Sequence, residues 1–417
     1  MIYGCIAEKL GHSFSKDIHN RLFDYNYELL EVPKDKLDDF MQKKDFKAIN
    51  VTIPYKESVI PHLDYVSDIA KKIGAVNTIV NENGYLKGYN TDFEGMKALL
   101  QKNEIDIRNK KVLILGSGGT SKTAFALCES LEAEYVYRVS RIAREDCVTY
   151  EYVKENCNDV EIIINTTPVG MYPNIGYSPI SLDDYTNIVA VVDAVYNPLR
   201  SKLVCDAANK GIKAVGGLYM LVAQAVFAAE KFIDTKVEKK EIDRVYKEII
   251  ILKENIVLTG MPGSGKSTIG KLLAKELGRV FIDTDEEIVK KVDKPIPQIF
   301  AELGEEGFRK IENEVIKEIS SIQSAVIATG GGAILNPENI EFLRENGKVY
   351  FIDRDIEHIV ATSDRPLSSN KADLEKRYKE RYPLYTSRCD RHIRICNDAN
   401  KNMQMIKKDF CDENTCN

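Results

Sequence analysis

Two glycine-rich stretches have the residue types and spacing to hold phosphates. Gly260 to Ser267 reads GMPGSGKS and fills G-x-x-x-x-G-K-[ST] at every required position. Gly260, Gly263 and Gly265 allow close backbone approach to phosphate oxygens, where a Cβ would block it. Lys266 would place a point positive charge on the β- and γ-phosphates, and Ser267 would offer its hydroxyl to magnesium. Ser264 and Thr268 belong to the same nucleotide-binding set. Earlier in the chain, Gly116 to Ala124 reads GSGGTSKTA, a turn suited to a pyrophosphate at a helix N-terminus. About twenty residues on, where a dinucleotide site reads the adenosine ribose, stand Ser140 and Arg141, then Arg144, and cations there favour the 2′-phosphate of NADP. The plain alternative for those arginines is a solvated charged loop.

Proton chemistry has its own candidates. Lys56 and Asp92 form a candidate charged pair that could exchange a proton with an oxygen during carbonyl reduction. Ser13, Ser15, Thr52, Asn77 and Asn90 are uncharged hydrogen-bonding groups suited to a polyhydroxylated ring or a carboxylate. After the second glycine loop, Asp283 and Asp285 sit two apart at a strand end, pointing to opposite sides if the strand continues. One would lie near magnesium and the other near a substrate hydroxyl. Arg309, the triple glycine Gly330, Gly331 and Gly332, Arg365 and Arg381 follow. Each has a plain alternative: a helix cap for either aspartate, a bulge for the glycines, a surface position for any arginine.

The elements that must position these groups are legible in outline. KVLIL and IVLTG are apolar runs that each feed a glycine loop. Ala124, Leu127, Cys128 and Leu131 recur at helical spacing after the first loop, as do Ile269, Leu272, Leu273 and Leu277 after the second. The length of 417 residues suits two or three domains. The charged, amphipathic EKKEIDRVYKEIIILKEN precedes IVLTG, which places a boundary near Lys253, and the chain past Asn397 reads as polar and loose. With 58 basic and 64 acidic residues the net charge is −6, with no long basic run, so nucleic acid is a poor default partner. No window approaches about 20 consecutive apolar residues, and the first residues, MIYGCIAEKLGH, are too interrupted for a signal peptide. Nine scattered cysteines without a CxxC pair suit a reducing cytoplasm, Cys411 and Cys416 falling in the polar tail.

The ordered motifs add a resemblance. H-S-x-S, N-V-T-x-P-x-K, G-A-V-N-T, N-T-D-x-x-G, G-x-G-G, N-T-T-P-x-G-M and G-x-x-M-L-x-x-Q resemble shikimate dehydrogenase over residues 1 to about 250. The P-loop, D-T-D, G-x-x-x-F-R-x-x-E, G-G-G, D-R-P-L and R-x-P-L-Y resemble shikimate kinase over residues 255–395. The resemblance implies Lys56 and Asp92 as a catalytic pair, with Ser13, Ser15, Thr52, Asn77 and Gln224 binding substrate. It implies Gly116, Gly118, Gly119, Ser140 and Arg141 on NADP, with Thr166 and Gly217 near the ribose or nicotinamide. In the second half it implies that Asp285, Arg309, Gly330–Gly332 and Arg381 hold shikimate, Asp285 also serving as base. Lys266 and Mg²⁺ would balance charge, Asp283 would help place the metal, and Arg365 would close a short lid over the phosphates of ATP. Lys16 stands where the family usually has proline after the second serine, and His12 and His19 of the same motif read as packing or hydrogen-bonding residues.

The implied architecture is α/β: a two-lobed dehydrogenase at 1–252, then a P-loop kinase domain at 253–417 with a parallel sheet. Residues 1–102 and 221–252 would form the substrate lobe and 103–220 a Rossmann lobe for NADP. The implied reactions are reduction of 3-dehydroshikimate by NADPH and phosphorylation of shikimate by MgATP. Two other readings stay open. One is a quinate-preferring dehydrogenase fused to another small-molecule kinase. The other is a catalytically silent metabolite sensor, against which the intact Lys56, Asp92, Lys266, Ser267 and Asp285 argue.

Overall fold

Apolar runs that end in glycine become strands buried on both faces, and three sheets grow around them. The computed structural model describes residues 2–10, 13–359 and 371–413. Contacts divide the chain into two units, Met1–Ile249 and Ile250–Asn417.

The first unit begins with β1 (Ile2–Ala7), α1 (Ser15–Leu22), β2 (Tyr27–Glu31), α2 (Leu37–Lys43) and β3 (Phe46–Val51). Next come β4 (Tyr65–Val66), α3 (Asp68–Ile73), β5 (Thr78–Glu82), β6 (Tyr85–Tyr89) and α4 (Thr91–Lys102). Their sheet has the order β2-β1-β3-β5-β6-β4; β1 runs parallel to β2 and β3, and β5 runs antiparallel to both of its neighbours, β3 and β6. The chain then crosses into a second lobe of β7 (Lys111–Leu115), α5 (Gly119–Ser130), β8 (Tyr135–Val139), α6 (Tyr150–Asn156), β9 (Ile162–Asn165), β10 (Ala190–Asp193), α7 (Lys202–Asn209) and β11 (Lys213–Val215). All five strands are parallel in the order β11-β10-β9-β7-β8. Val112, Leu113, Ile114 and Leu115 are fully buried, as a parallel strand covered on both faces requires. The strand order reverses at β7, so a ligand crevice falls at its carboxyl end. Helix α8 (Leu218–Ile233) returns to the first lobe and packs on α4 and α1, and α9 (Lys240–Lys253) runs through the division between the units.

The second unit contains β12 (Asn255–Thr259), α10 (Lys266–Leu277), β13 (Val280–Asp283), α11 (Thr284–Val292) and α12 (Ile296–Ser320), the last broken at Gly304, where φ is +68°. It continues with β14 (Ala325–Ala328), α13 (Pro337–Asn346), β15 (Gly347–Asp353), α14 (Lys371–Ser387), β16 (Arg391–Arg394) and α15 (Ala399–Glu413). The sheet is wholly parallel, in the order β13-β14-β12-β15-β16. One expectation needs correction here. The segment past Asn397 is not loose: α15 places Met403, Ile406 and Phe410 in the core beside Ile269 and Leu273 of α10. Those three residues recur at i, i+3 and i+7, a narrow apolar stripe that the surrounding Lys, Asn and Asp residues dilute in composition. Cys411 packs against that core as a free thiol, and Cys416 lies outside the described residues.

Candidate active sites

In the first unit, Asn90 caps α4 by accepting from the Phe93 amide at 3.2 Å, and its own amide donates to the Ala75 carbonyl at 3.0 Å. That anchoring gives Asn90 a structural task and fixes Asp92 in the first turn. Lys56 follows a turn closed by Tyr55 N–H donating to Thr52, and its own carbonyl accepts from Val76 N–H at 2.8 Å. The two side chains meet at 2.6 Å, with only 14% and 10% of their surfaces exposed. Asn77 lies in the same fabric: its oxygen accepts from Thr91 N–H at 2.7 Å, and its amide donates to Gln224 Oε1 of α8 at 3.4 Å. Gly95 lets α4 and α8 come this close, since a Cβ there would stand 2.8 Å from the Met220 carbonyl oxygen. Ser13 Oγ accepts from Ser15 N–H at 3.2 Å as α1 begins, and Thr52 N–H donates to Ile6 at 3.1 Å, so these three residues stand at the carboxyl ends of β1 and β3. His19 is fully buried, stacked on Tyr27 with centroids 3.9 Å apart and bonded to the Tyr25 hydroxyl at 2.6 Å. Burial pushes its imidazole down to about 3, so it packs as a neutral ring. His12 lies outside the described residues.

The adjoining turn reaches this pair directly. Gly116 has φ of +112°, and a Cβ on it would stand 2.7 Å from Thr166 Oγ1, so only glycine lets the loops after β7 and β9 touch there. Gly118 opens α5 with nothing within 4 Å of its Cβ direction. Gly119 faces the first lobe, its Cβ direction 3.7 Å from Lys56 Cδ. The bare N-terminus of α5 and the open space at Gly118 fit a dinucleotide pyrophosphate. Ser140 is buried at the end of β8 and donates to the Ile142 carbonyl, while Arg141 and Arg144 are exposed. Gly217 begins α8, where a Cβ would collide with the Ala194 carbonyl.

Sequence reasoning missed the group that shapes this last loop. Asp193 is fully buried and accepts from Asn165 Nδ2 at 2.9 Å, Val195 N–H at 2.9 Å and Ser201 Oγ at 2.5 Å. Burial outweighs those bonds and pushes its carboxyl up to about 6. The folded state therefore holds the proton more tightly than the unfolded chain. The stability this gives is full below the ordinary carboxyl value of 3.8 and is lost as pH rises through about 6, on the order of 3 kcal/mol in all. Asp193→Asn keeps the shape, and the Ser201 hydroxyl can turn to accept. The variant should gain melting temperature relative to wild type at pH 7 but not at pH 4. An equal shift at both values would refute the assignment.

In the second unit, Gly260, Gly263 and Gly265 take φ of 150°, 81° and 95°, a conformation open to glycine that shapes the loop between β12 and α10. Lys266 Nζ donates to the Gly260 and Met261 carbonyls at 2.9 and 3.0 Å, inside the loop. Ser267 Oγ donates to Asp283 Oδ2 at 2.7 Å. A hydroxyl and one carboxylate leave the remaining positions to phosphates and water, which fits Mg²⁺. Among the described residues no group of three or more His, Cys, Asp or Glu could hold a metal by itself.

The condition for the two aspartates to point apart, a strand that continues, is not met, and the helix-cap alternative holds for Asp283. Strand β13 stops at Asp283, whose Oδ1 accepts from Asp285 N–H at 3.0 Å and so caps α11. The cap turns Asp285 into the first helical turn. Both aspartates line one cavity of about 620 Å³ together with Lys266, Arg309 and Arg381.

The glycine loop after β14 is what lets these groups converge. A Cβ on Gly330 would stand 2.5 Å from Asp285 Oδ1, one on Gly331 would stand 2.6 Å from Pro262, and one on Gly332 would collide with the Arg309 guanidinium. Arg381 Nη1 and the Tyr385 hydroxyl both donate to the Gly331 carbonyl, at 2.9 and 2.5 Å. Gly332→Ala should therefore displace Arg309 and raise the KM for the acceptor by about 10- to 100-fold, with the nucleotide KM within about twofold; steady-state kinetics with each substrate varied would show it. Glu312 was also missed. It is 1% exposed, pairs with Arg309 at 2.7 Å, and its second oxygen has no hydrogen-bond partner among the described residues. Burial raises its carboxyl, with Arg309 opposing and Asp285 adding to the rise. The spacing F-R-x-x-E, which puts arginine and glutamate on one helical face, was the available signal. Arg365 lies outside the described residues.

Known proteins divide along the same lines. A family model described as shikimate dehydrogenase substrate binding domain matches residues 5–79, and one described as shikimate kinase matches residues 262–411. The shikimate dehydrogenase (NADP(+)) of Clostridium beijerinckii is 39% identical over 261 residues, covering 58% of this chain and 96% of that protein. The solved shikimate dehydrogenase 1 of Peptoclostridium difficile is 36% identical with a TM-score of 0.56, covering 60% of this chain and 97% of that one. A chorismate mutase/shikimate 5-dehydrogenase fusion from Clostridium acetobutylicum is 35% identical with a TM-score of 0.57, covering 60% and 96%. The chain thus belongs to the shikimate dehydrogenase family and carries, in its second unit, a shikimate kinase domain.

Proposed function

We propose that the chain reduces 3-dehydroshikimate to shikimate with NADPH in its first unit and phosphorylates shikimate with MgATP, at its 3-hydroxyl, in its second. The observation that carries this reading is the presence of two separate proton-handling carboxylates, each beside its own glycine cradle. Asp92 holds Lys56 against the turn at Gly119, and Asp285 shares a cavity with Lys266.

In the first unit NADPH, when bound, supplies the hydride. Lys56, oriented by Asp92, gives its proton to the carbonyl oxygen as charge develops there. Ser13, Ser15, Thr52, Asn77 and Gln224 bind the ring hydroxyls and carboxylate. Gly116, Gly118, Gly119, Ser140 and Arg141 would hold the cofactor, with Thr166 and Gly217 near its ribose or nicotinamide. In the second unit MgATP supplies the phosphoryl group. Arg309 and Arg381 take the shikimate carboxylate with their forked donors, and Gly330–Gly332 let the ring approach. Asp285 accepts the proton of the attacking hydroxyl, Lys266 would offset charge on the phosphates, and Ser267 and Asp283 would hold the metal. Arg365 is assigned to the lid.

None of the eight described cysteines forms a disulfide, and no described helix is long and apolar enough to cross a membrane; we assign the chain to the cytoplasm. The purified chain, supplied with 3-dehydroshikimate, NADPH and MgATP, should consume NADPH and accumulate shikimate 3-phosphate. Loss of NADPH without a phosphorylated product, or the reverse, would remove one half of the proposal.

A further inference from the structure

One arginine of the second unit has no task in the chemistry above. Arg354 is the first residue past β15, half-buried, and lines the same cavity as the phosphate-binding loop. Its Nη1 lies 3.8 Å from the Cβ direction of Gly265, and its Nη2 donates to Asn397 Oδ1 at 3.1 Å. Its Nε is buried with no hydrogen-bond partner among the described residues. The acidic side chains next to it are engaged elsewhere: Asp353 with His392 at 2.8 Å, and Asp355 with the Glu357 amide at 3.1 Å. A guanidinium stripped of water on one edge and given only a neutral amide is incomplete without a further electron-rich partner.

Asn397 is held in turn. Ile395 N–H donates to the Asp353 carbonyl at 2.9 Å, and Asn402 grips Cys396 through both its amide atoms, at 2.9 and 2.8 Å. The arginine is thus aimed by a rigid neighbour before any ligand arrives.

Sheet order says which ligand. The phosphate-binding loop leaves the central strand β12, while Asp283, Asp285 and the Gly330–Gly332 loop all leave β13 and β14, on one side of it. In-line transfer requires the terminal phosphate to face that side. The rest of the nucleotide must then trail the other way, across the carboxyl ends of β15 and β16, where Arg354 and Asn397 stand. We propose that Arg354, aimed by Asn397, binds the nucleoside of ATP, the part that lies beyond its phosphates, and so sets nucleotide affinity. This rests on the kinase reading of the second unit.

Calorimetry on the full-length chain with MgADP and with magnesium tripolyphosphate tests it, because tripolyphosphate keeps the loop contacts and lacks the nucleoside. Arg354→Ala should weaken MgADP by about 10- to 100-fold, the range for losing hydrogen bonds to a charged group, and change tripolyphosphate by no more than about twofold. Asn397→Ala, which leaves the charge in place, should weaken MgADP by a smaller factor of about 3 to 10. An unchanged MgADP affinity in Arg354→Ala, or an equal loss for tripolyphosphate, would overturn the proposal while the kinase reading stands. A wild-type chain that binds neither ligand would overturn both.

Discussion

Lys56→Ala should lower the turnover of 3-dehydroshikimate reduction by about three orders of magnitude, within the range for a positioned general acid. The size of the effect follows from the setting. The ammonium is held at 2.6 Å from Asp92 on a stem that lies against Gly119, so it is oriented from both ends. Removing it also leaves a mostly buried carboxylate without its cation, an unfavourable state. Lys56→Ala, Asp92→Asn double substitution therefore separates the two consequences: it should restore melting temperature lost in the single variant without restoring turnover. Stopped-time assays at saturating NADPH, beside thermal melts, measure both quantities. Turnover above about a tenth of wild type in Lys56→Ala would mean that another group protonates the oxygen.

The second large effect is expected at Asp285. Asp285→Asn should reduce shikimate phosphorylation by about 10²- to 10⁴-fold in kcat, because the amide cannot take up the hydroxyl proton. Asparagine suits the first turn of α11, and the backbone N–H at this position still donates to Asp283, so the helix should remain capped. The acceptor should still bind, since Arg309 and Arg381 are untouched, and its KM should move by less than about fivefold. Coupled measurement of ADP release with each substrate varied would distinguish this outcome from simple loss of binding. A large rise in KM with kcat preserved would recast Asp285 as a binding residue.

How much of this was readable beforehand depended on whether a group's role is local in the chain. Gly260, Gly263 and Gly265 announce themselves because the backbone conformation they permit depends on their own lack of a side chain. The parallel strands β7 and β12 were equally plain as unbroken apolar runs beside glycine. The direction of Asp285 stayed open in the sequence because a two-residue period does not show where a strand ends when a side-chain cap decides it. Helix α15 was hidden because three apolar positions among many polar ones acquire meaning only against the surface of α10. Asp193 and Arg354 were invisible for a related reason. An isolated aspartate or arginine in a sequence reads as solvated, and burial by elements far along the chain is what gives it character.

Helix α15 carries no reacting group, yet its Asn402 steadies the loop that orients Arg354, and its Phe410 closes the floor under α10. A premature stop codon shortly after residue 397 would leave every proposed catalytic side chain encoded. It would nevertheless strip the scaffold from beneath the phosphotransferase, so a cell bearing it would accumulate unphosphorylated shikimate as though the kinase gene itself were missing.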